Sequence, residues 1–304
     1  MFDIDYVFPW VNDQDPVWQK TYIDYCKSHQ QMDKVEKIHN CRYRDWGLLK
    51  YLFRAIAKNM PWIRKVHLIV SNKEQVPEWL NTDKVHIVLH EDIMPPEVLP
   101  TFNSGVIEMF FPYINDLSEH FIYANDDMYP WNLTQPLDWF TADGKLKCNM
   151  IVSYSQKCVW NKMISNVWWI LQKRLNGQEN KAFYLRPWHG LSPLRKTDCL
   201  QALELVSDKV LSSCSSFREA KNMTYYLYSD YSYLKQNMIT SNLCFEYIRL
   251  DDFKEALLTL RNKKTQVVCL NDSGVVEARA YPLYKKYLKA LMEQRFPEKC
   301  KYER

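Results

Sequence analysis

Ser118-Glu119-His120-Phe121-Ile122-Tyr123-Ala124-Asn125-Asp126-Asp127-Met128-Tyr129-Pro130 is the stretch on which the fold turns. Glu119 to Ala124 reads as a buried strand, and Met128-Tyr129-Pro130 is expected to turn the chain. Two adjacent carboxylates at the mouth of a buried strand form an oxygen site for a hard cation such as Mg²⁺ or Mn²⁺, which can neutralise a diphosphate and help a phosphate-bearing group leave. The plain alternative is an Asx-type turn, since Asn and Asp suit turns without any ion.

Outward from this stretch, strands and helices alternate. Ile4 to Val11 is a first buried strand, with Pro9 at its end because proline cannot donate to a central ladder, and Asn12-Asp13-Gln14-Asp15-Pro16 is a polar turn. From Asp45 to Lys58 the spacing predicts a helix with Leu48, Leu49, Leu52, Phe53 and Ile56 on one face, stopped by Asn59-Met60-Pro61. Val66–Val70 and Val85–Leu89 read as further strands, and Asn103 or Ser104 as the cap of a helix running to about Phe111. Such alternation predicts an α/β fold with a mostly parallel, Rossmann-like sheet. Ligands of such sheets sit beyond the carboxyl ends of the strands, where the turns after Val11 and Ala124 both fall. Helices are expected over Val159–Arg174, Pro193–Val206 and Arg218 to about Lys235, forming a helical section over the cleft. Thr265–Leu270 is expected to return to the sheet and end at Asn271-Asp272-Ser273, before a last helix from about Val275 to Arg295.

Composition narrows the function classes. The 304 residues are 47% hydrophobic and 14% aromatic, enough for a large core, and some of the 11 Trp and 20 Tyr exceed what a core needs. A net charge of +4, from 40 basic and 36 acidic residues with no dense Lys/Arg block, argues against a nucleic-acid binder. The nine cysteines include no CxxC pair, which argues against structural zinc, and their odd number in a chain this large argues for reduced thiols, hence an expected cytoplasmic setting. No signal peptide and no apolar run of membrane length is read. The basic, aromatic stretch from Tyr284 to Arg304 reads first as a solvated helix and second as a peripheral membrane anchor. With only six glycines and no GxGxxG or P-loop, phosphates must be held by side chains, an ion or helix N-termini.

Four segments carry chemistry. The first, Ile4 to Trp18, places Trp10 and Asn12 where a base and ribose could dock. In the second, Arg42 and Arg44 offer guanidinium groups for bidentate phosphate contacts beside Asp45, Asn103 and Ser104 stand at a helix N-terminus that favours anions, and Asn125-Asp126-Asp127 closes the segment. The third holds His189, Arg218 and Asn222. A histidine in a Pro-, Trp- and Gly-flanked loop suits acid–base work, and Arg218 suits charge on a phosphoryl group in flight. Packing and surface exposure are the respective rival accounts. The fourth is Asn271-Asp272, a second Asn-Asp pair at a strand end, where Asp272 and Asp126/Asp127 are expected to share one ion with help from the Asn271 amide oxygen.

In this order the segments resemble the Stealth family of sugar-phosphate transferases, which includes bacterial capsular and exopolysaccharide phosphotransferases and the catalytic core of N-acetylglucosamine-1-phosphotransferase. The matching residues include Ile4-Asp5-Tyr6-Val7, Arg42-Tyr43-Arg44-Asp45-Trp46-Gly47, Leu99-Pro100-Thr101-Phe102-Asn103-Ser104, the run from Ser118 to Met128, His189, Phe217-Arg218 and Cys269-Leu270-Asn271-Asp272. Pro9 and Asp13 depart from the family, where Thr and Gly are usual. The resemblance implies a glycosyltransferase-A-related sheet in one catalytic domain over 1–304. Its parts would be a nucleotide-sugar-binding part over 1–157, a mainly helical insertion over 158–262, and a returning strand and helix over 263–304. It implies a UDP-amino sugar donor, a saccharide or polysaccharide acceptor, a divalent cation, and transfer of the sugar-1-phosphate with UMP leaving, in the cytoplasm or at the inner face of the membrane. In that scheme His189 is the general base, Arg218 and Asp127 assist, and Asn103, Asn125 and Asn271 position donor and acceptor. The rivals are a glycosyltransferase that releases UDP and a non-catalytic carbohydrate-binding protein. Oligomeric state stays open.

Overall fold

The computed structural model describes residues 2–35, 41–178, 180–250, 264–272 and 280–304. Its main sheet has five strands in the order β3-β2-β1-β4-β9. These are β1 (Ile4–Pro9), β2 (Val66–Val70), β3 (Val85–Leu89), β4 (His120–Tyr123) and β9 (Ser192–Arg195). The first four run parallel and β9 lies antiparallel to β4, so the expected α/β class with a mostly parallel sheet is the fold observed. The chain steps from β1 outward through β2 to β3, then returns to the other side of β1 as β4. That reversal opens a crevice at the carboxyl ends of β1 and β4.

β1 is central because both its faces are apolar. Tyr6 and Phe8 pack into the core that holds the helix Leu49–Asn59, while Val7 points into a second core on the opposite face. The face read from the sequence packs as expected: Leu48, Leu49, Leu52, Phe53 and Ile56 are all buried, each contributing about 2 kcal/mol of transfer free energy. The helix Pro16–Ser28 starts where the polar turn ends, with Asp15 accepting from the Val17 and Trp18 N–H groups and Pro16 in the first turn.

Several expectations are corrected. Met128–Pro130 is not the turn but a strand, β5, and Asn125–Asp127 make the turn themselves. Ser192–Arg195, of which Pro193 onward was expected in a helix, pairs with β4 as an edge strand, where Pro193 opposite Ile122 is tolerated; the helix begins at Lys196. The helix expected from Arg218 begins at Tyr226, and that expected to run to Phe111 ends at Glu108, ahead of a short 3-10 turn containing Pro112. β12 (Val267–Asn271) does not rejoin the main sheet. It forms a second sheet, in the order β11-β12-β5, with β11 (Phe245–Arg249) parallel and β5 antiparallel. Shorter pairs join β6 (Leu146–Lys147) to β10 (Met238–Ile239) and β7 (Met150–Ser153) to β8 (Tyr184–Pro187). Among the described residues of 158–262, the helices Val159–Asn176, Lys196–Leu205, Ser207–Ser213 and Tyr226–Leu234 are interspersed with the short strands β8 to β11. Ser273 and the expected helix start at Val275 lie outside the described residues; the last helix is seen over Tyr281–Arg295.

Candidate active site

A cavity of about 730 Å³ opens at the crevice, within the roughly 300–1,000 Å³ usual for small-ligand sites. Each parallel strand delivers a residue to it just past its carboxyl end: Trp10 after β1, Ser71 after β2, His90 after β3 and Asn125-Asp126-Asp127 after β4. The second sheet delivers Asn271 and Asp272. Because Cys269 stands opposite Met128 in an antiparallel pair, one step further the Leu270 N–H meets the Asp127 carbonyl at 2.8 Å. The same register brings the two Asn-Asp segments to one wall of the cavity.

Asp126 is exposed to the cavity. Its carboxyl lies above the usual range because of desolvation, followed by the charges of Asp127 and Asp45. Burial pushes Asp127 up to about 6, although Cys269 and Asn271 donate hydrogen bonds to it. The Cys269 thiol reaches Asp127 Oδ2 at 3.5 Å, while the buried Asp127 Oδ1 has no hydrogen-bond partner among the described residues. Crowded carboxylates with an unanswered buried oxygen fit a divalent cation, with Asp126, Asp127 and the Asn271 amide as the donor set. Asp272 is differently engaged. Arg44 grips both its oxygens, with Nη2 at 2.7 Å from Oδ1 and Nε on Oδ2, and Trp46 Nε1 donates to Oδ2 at 3.0 Å. Among the described residues no group of three or more His, Cys, Asp or Glu side chains is arranged to hold an ion. The four-residue ion site expected from the sequence thus divides into an acid pair with an amide and an arginine-held aspartate.

The other walls are basic and aromatic. Arg42, Arg44, Arg186 and Arg218 all line the cavity. Arg218 Nη2 donates to Ser104 Oγ at 2.8 Å, its guanidinium lies 5.0 Å from the Trp160 ring, and its buried Nε is unanswered among the described residues. His189 sits between Tyr226, whose Oη is 3.4 Å from Nδ1, and the rings of Trp160 and Tyr247. Burial first, then the positive charges of Arg186 and Arg218, lower His189 to about 4, so its imidazole is neutral at physiological pH.

Of the sequence-picked residues, Trp10, Arg42, Arg44, Asp45, Ser104, Asn125, Asp126, Asp127, His189, Arg218, Asn271 and Asp272 line this one cavity. Three do not. Asn12 frames its turn, exchanging backbone hydrogen bonds with the Gln75 side chain and accepting from Gln14 N–H at 3.0 Å. Asn103 caps its helix and donates to Asn222 Oδ1 at 2.8 Å. Asn222, fully buried, also donates to Ser213 O and Ser215 Oγ and accepts from Glu219 N–H, which ties down the loop carrying Arg218. Short amides at turns carry the same sequence signal whether they bind ligand or backbone. Arg186, Trp160 and Tyr247 were missed. Arg186 lies on β8, three residues before His189, and only the recognition of a strand leading into that loop would have placed it.

Residues 42–148 match the family model described as Stealth protein CR2, conserved region 2. The Stealth likeness read from the sequence is thus independently found over that region, and similarity to polysaccharide phosphotransferases spans the whole chain. The chain is 29% identical over 336 residues to the exopolysaccharide phosphotransferase cps2G of Lactiplantibacillus plantarum, covering 100% of this chain and 97% of that protein. It is 29% identical over 342 residues to a capsular polysaccharide phosphotransferase WcwK of Streptococcus pneumoniae, covering 100% and 99%. It is also 39% identical over 159 residues to the receptor polysaccharide phosphotransferase WefC of Streptococcus oralis, covering 50% and 46%. Among solved structures, the galactosyltransferase LgtC in complex with donor and acceptor sugar analogues aligns over 95% of both chains at 11% identity, with a TM-score of 0.43. That is a similarity of overall course and carries no statement about substrate. No helix among the described residues is long and apolar enough to cross a membrane.

Proposed function

We propose that this chain transfers a sugar-1-phosphate from a UDP-sugar, an amino sugar by preference, to a saccharide hydroxyl, releasing UMP, in the synthesis of a surface polysaccharide. One observation carries the reading: a single cavity sets an acid pair, Asp126 and Asp127, together with the arginines Arg42 and Arg218 and a neutral imidazole, His189. Acids alone would repel a diphosphate; with a divalent cation between them and guanidinium groups opposite, the cavity suits one. The activities for which cps2G and WcwK are named, proteins aligned over nearly their whole length, support phosphotransfer in capsule or exopolysaccharide synthesis.

In the reaction the acceptor oxygen bonds to the phosphorus that bears the sugar, and the bond from that same phosphorus to the bridging oxygen breaks, the bridging oxygen staying on the uridylyl phosphorus. UMP leaves with that electron pair. His189 takes the acceptor proton: with Nδ1–H donating to Tyr226 Oη, Nε2 is its basic nitrogen. Arg218 offers its unanswered Nε–H to the phosphoryl oxygens as charge gathers there. Ser104 and Trp160 hold that guanidinium in place. Trp10 and Asn125 line the side reached from β1 and β4 and position the donor. A magnesium-type cation held by Asp126, Asp127 and Asn271 would neutralise the diphosphate. Incubation with a panel of UDP-sugars, Mg²⁺ and acceptor saccharides, scored for UMP against UDP, tests the proposal.

A further inference from the structure

Beneath the cavity floor lies a buried carboxyl that the scheme above does not use. Glu108 ends the short helix Ser104–Glu108 and is 1% exposed. Its Oε2 accepts from the Tyr225 N–H at 3.2 Å, and its Oε1 lies 3.1 Å from Tyr123 Oη. Tyr123 Oη in turn lies 3.0 Å from Asn125 Oδ1. Tyr123 is itself buried, whereas Asn125 lines the cavity beside Asp126. Three oxygens therefore stand in a row, from an inaccessible carboxyl to a cavity amide.

Two hydrogen bonds between three oxygens need two protons, and the tyrosine supplies one. The second comes either from a Glu108 carboxyl O–H or from an Asn125 amide turned to present its NH₂. The surroundings favour the first. Glu108 meets one backbone donor, the hydroxyl of Tyr123 and the charge of Arg218, while the buried phenols Tyr225, Tyr226 and Tyr228, whose values are raised first by burial and in part by Glu108 itself, stay neutral. Burial pushes the carboxyl up to about 7.

Resting on the function proposed above, we propose that Glu108 is a positioning residue whose carboxyl O–H donates to Tyr123 Oη, so that Tyr123 donates to Asn125 Oδ1 and leaves the Asn125 NH₂ as the group offered to a phosphate-bearing ligand. With the oxygen end of the amide fixed from below, Asn125 is a pre-oriented donor rather than a rotor that must be ordered on binding. Loss of the Glu108 proton turns Tyr123 back toward the carboxylate and frees the amide, so donor use weakens on the basic side of neutrality.

The variants E108Q, E108A and Y123F test this in the full-length protein. Glutamine can donate from Nε2 to Tyr123 while Oε1 accepts from Tyr225 N–H, so E108Q restores most of the turnover that E108A loses and removes the basic limb of the kcat/KM profile for the UDP-sugar. Y123F lowers kcat/KM for the donor about 10- to 100-fold, a loss of one oriented hydrogen bond to a charged group. Equal losses in E108Q and E108A, or a basic limb that persists in E108Q, overturn the proposal. A second readout needs no reaction. In ligand-free protein labelled with [¹³Cδ]glutamate, the carboxyl resonance absent from E108Q titrates near neutrality and moves in Y123F. Titration in the ordinary glutamate range, or indifference to Y123F, overturns the network even when turnover is intact. Absence of nucleotide release from the wild type counts against the proposed function instead, and leaves the resonance to decide the network.

Discussion

The Leu270 N–H donates to the Asp127 carbonyl at 2.8 Å, and this one bond in the β5–β12 ladder aligns two acidic segments that lie far apart in the sequence. The antiparallel register leaves Asp127 with an unanswered buried oxygen beside Asp126. Repulsion and desolvation there oppose folding, and a cation relieves both. Melting at fixed neutral pH should therefore rise by several degrees on adding millimolar Mg²⁺ or Mn²⁺, about what 1–2 kcal/mol produces in a chain this long. D126N and D127N should lose that shift, and D127N without metal should melt no lower than the wild type. Equal metal shifts in all three proteins would remove the acid pair from the ion site.

Arg44 and Asp272 form a pair with 11% and 8% of their side chains exposed. Removing one partner from such a pair leaves an uncompensated buried charge, which costs about 3–5 kcal/mol, whereas replacing both with apolar groups costs much less. R44A should destabilise strongly and R44M/D272L should recover most of the loss, measured by urea unfolding. If Asp272 serves the arginine rather than the ion, D272N keeps the metal-induced melting shift that D126N loses. Loss of the shift in D272N would return Asp272 to the ligand set.

His189 is lowered to about 4 by burial and then by Arg186 and Arg218. A base with a depressed value stays neutral, hence competent, well below the ordinary histidine range. At saturating Mg²⁺ the His189 acid limb of kcat/KM should thus fall below pH 6, and R186A, by removing one positive charge, should move it upward. The stability effect has the opposite sense: the unfolded chain binds this proton below about pH 6.5, so the contribution to stability is lost as pH falls from there toward 4, and H189Q lacks this slope. H189A should lower kcat at least 100-fold with donor KM nearly unchanged, roughly the share of a general base. Near-normal turnover in H189A would refute the assignment.

Gly190 follows His189, and a Cβ there would lie 2.5 Å from Phe245 Cδ1. Phe245 also packs against Trp188 and Trp139, so the ring cannot swing away freely. G190A should reduce turnover more than G177A, whose added Cβ meets nothing within 4 Å, although Gly177 carries the costlier backbone angle, φ +72°. Equal activity in the two variants would show that the His189 loop tolerates the intrusion.

Much of this was legible in the sequence, for identifiable reasons. β1 and β2 are buried on both faces and β3 is mostly buried, so the three read as near-continuous apolar runs broken by Asp5, His67 and His86, and the helix Leu49–Asn59 declares itself through Leu49, Leu52, Phe53 and Ile56. β5 and β9 were hidden because each is short and contains a proline, Pro130 and Pro193, that reads locally as a turn or helix start. The meeting of Asp127 with Leu270 rests on pairing across well over a hundred residues, which no local period encodes. Asp126 and Asp127 line the cavity because strand ends in a parallel sheet face one crevice, whereas Asp272 reaches it from the second sheet. Asn12, Asn103 and Asn222 were misplaced because an amide that holds a loop looks the same in sequence as one that holds a ligand.

The identity of the nucleotide released tests the central claim most directly. With a UDP-amino sugar, Mg²⁺ and a saccharide acceptor, mass spectrometry should find UMP formed in step with a sugar–phosphate–saccharide diester, and D127N and H189A should abolish both products. UDP released in step with a product that has gained a sugar but no phosphorus would contradict the account.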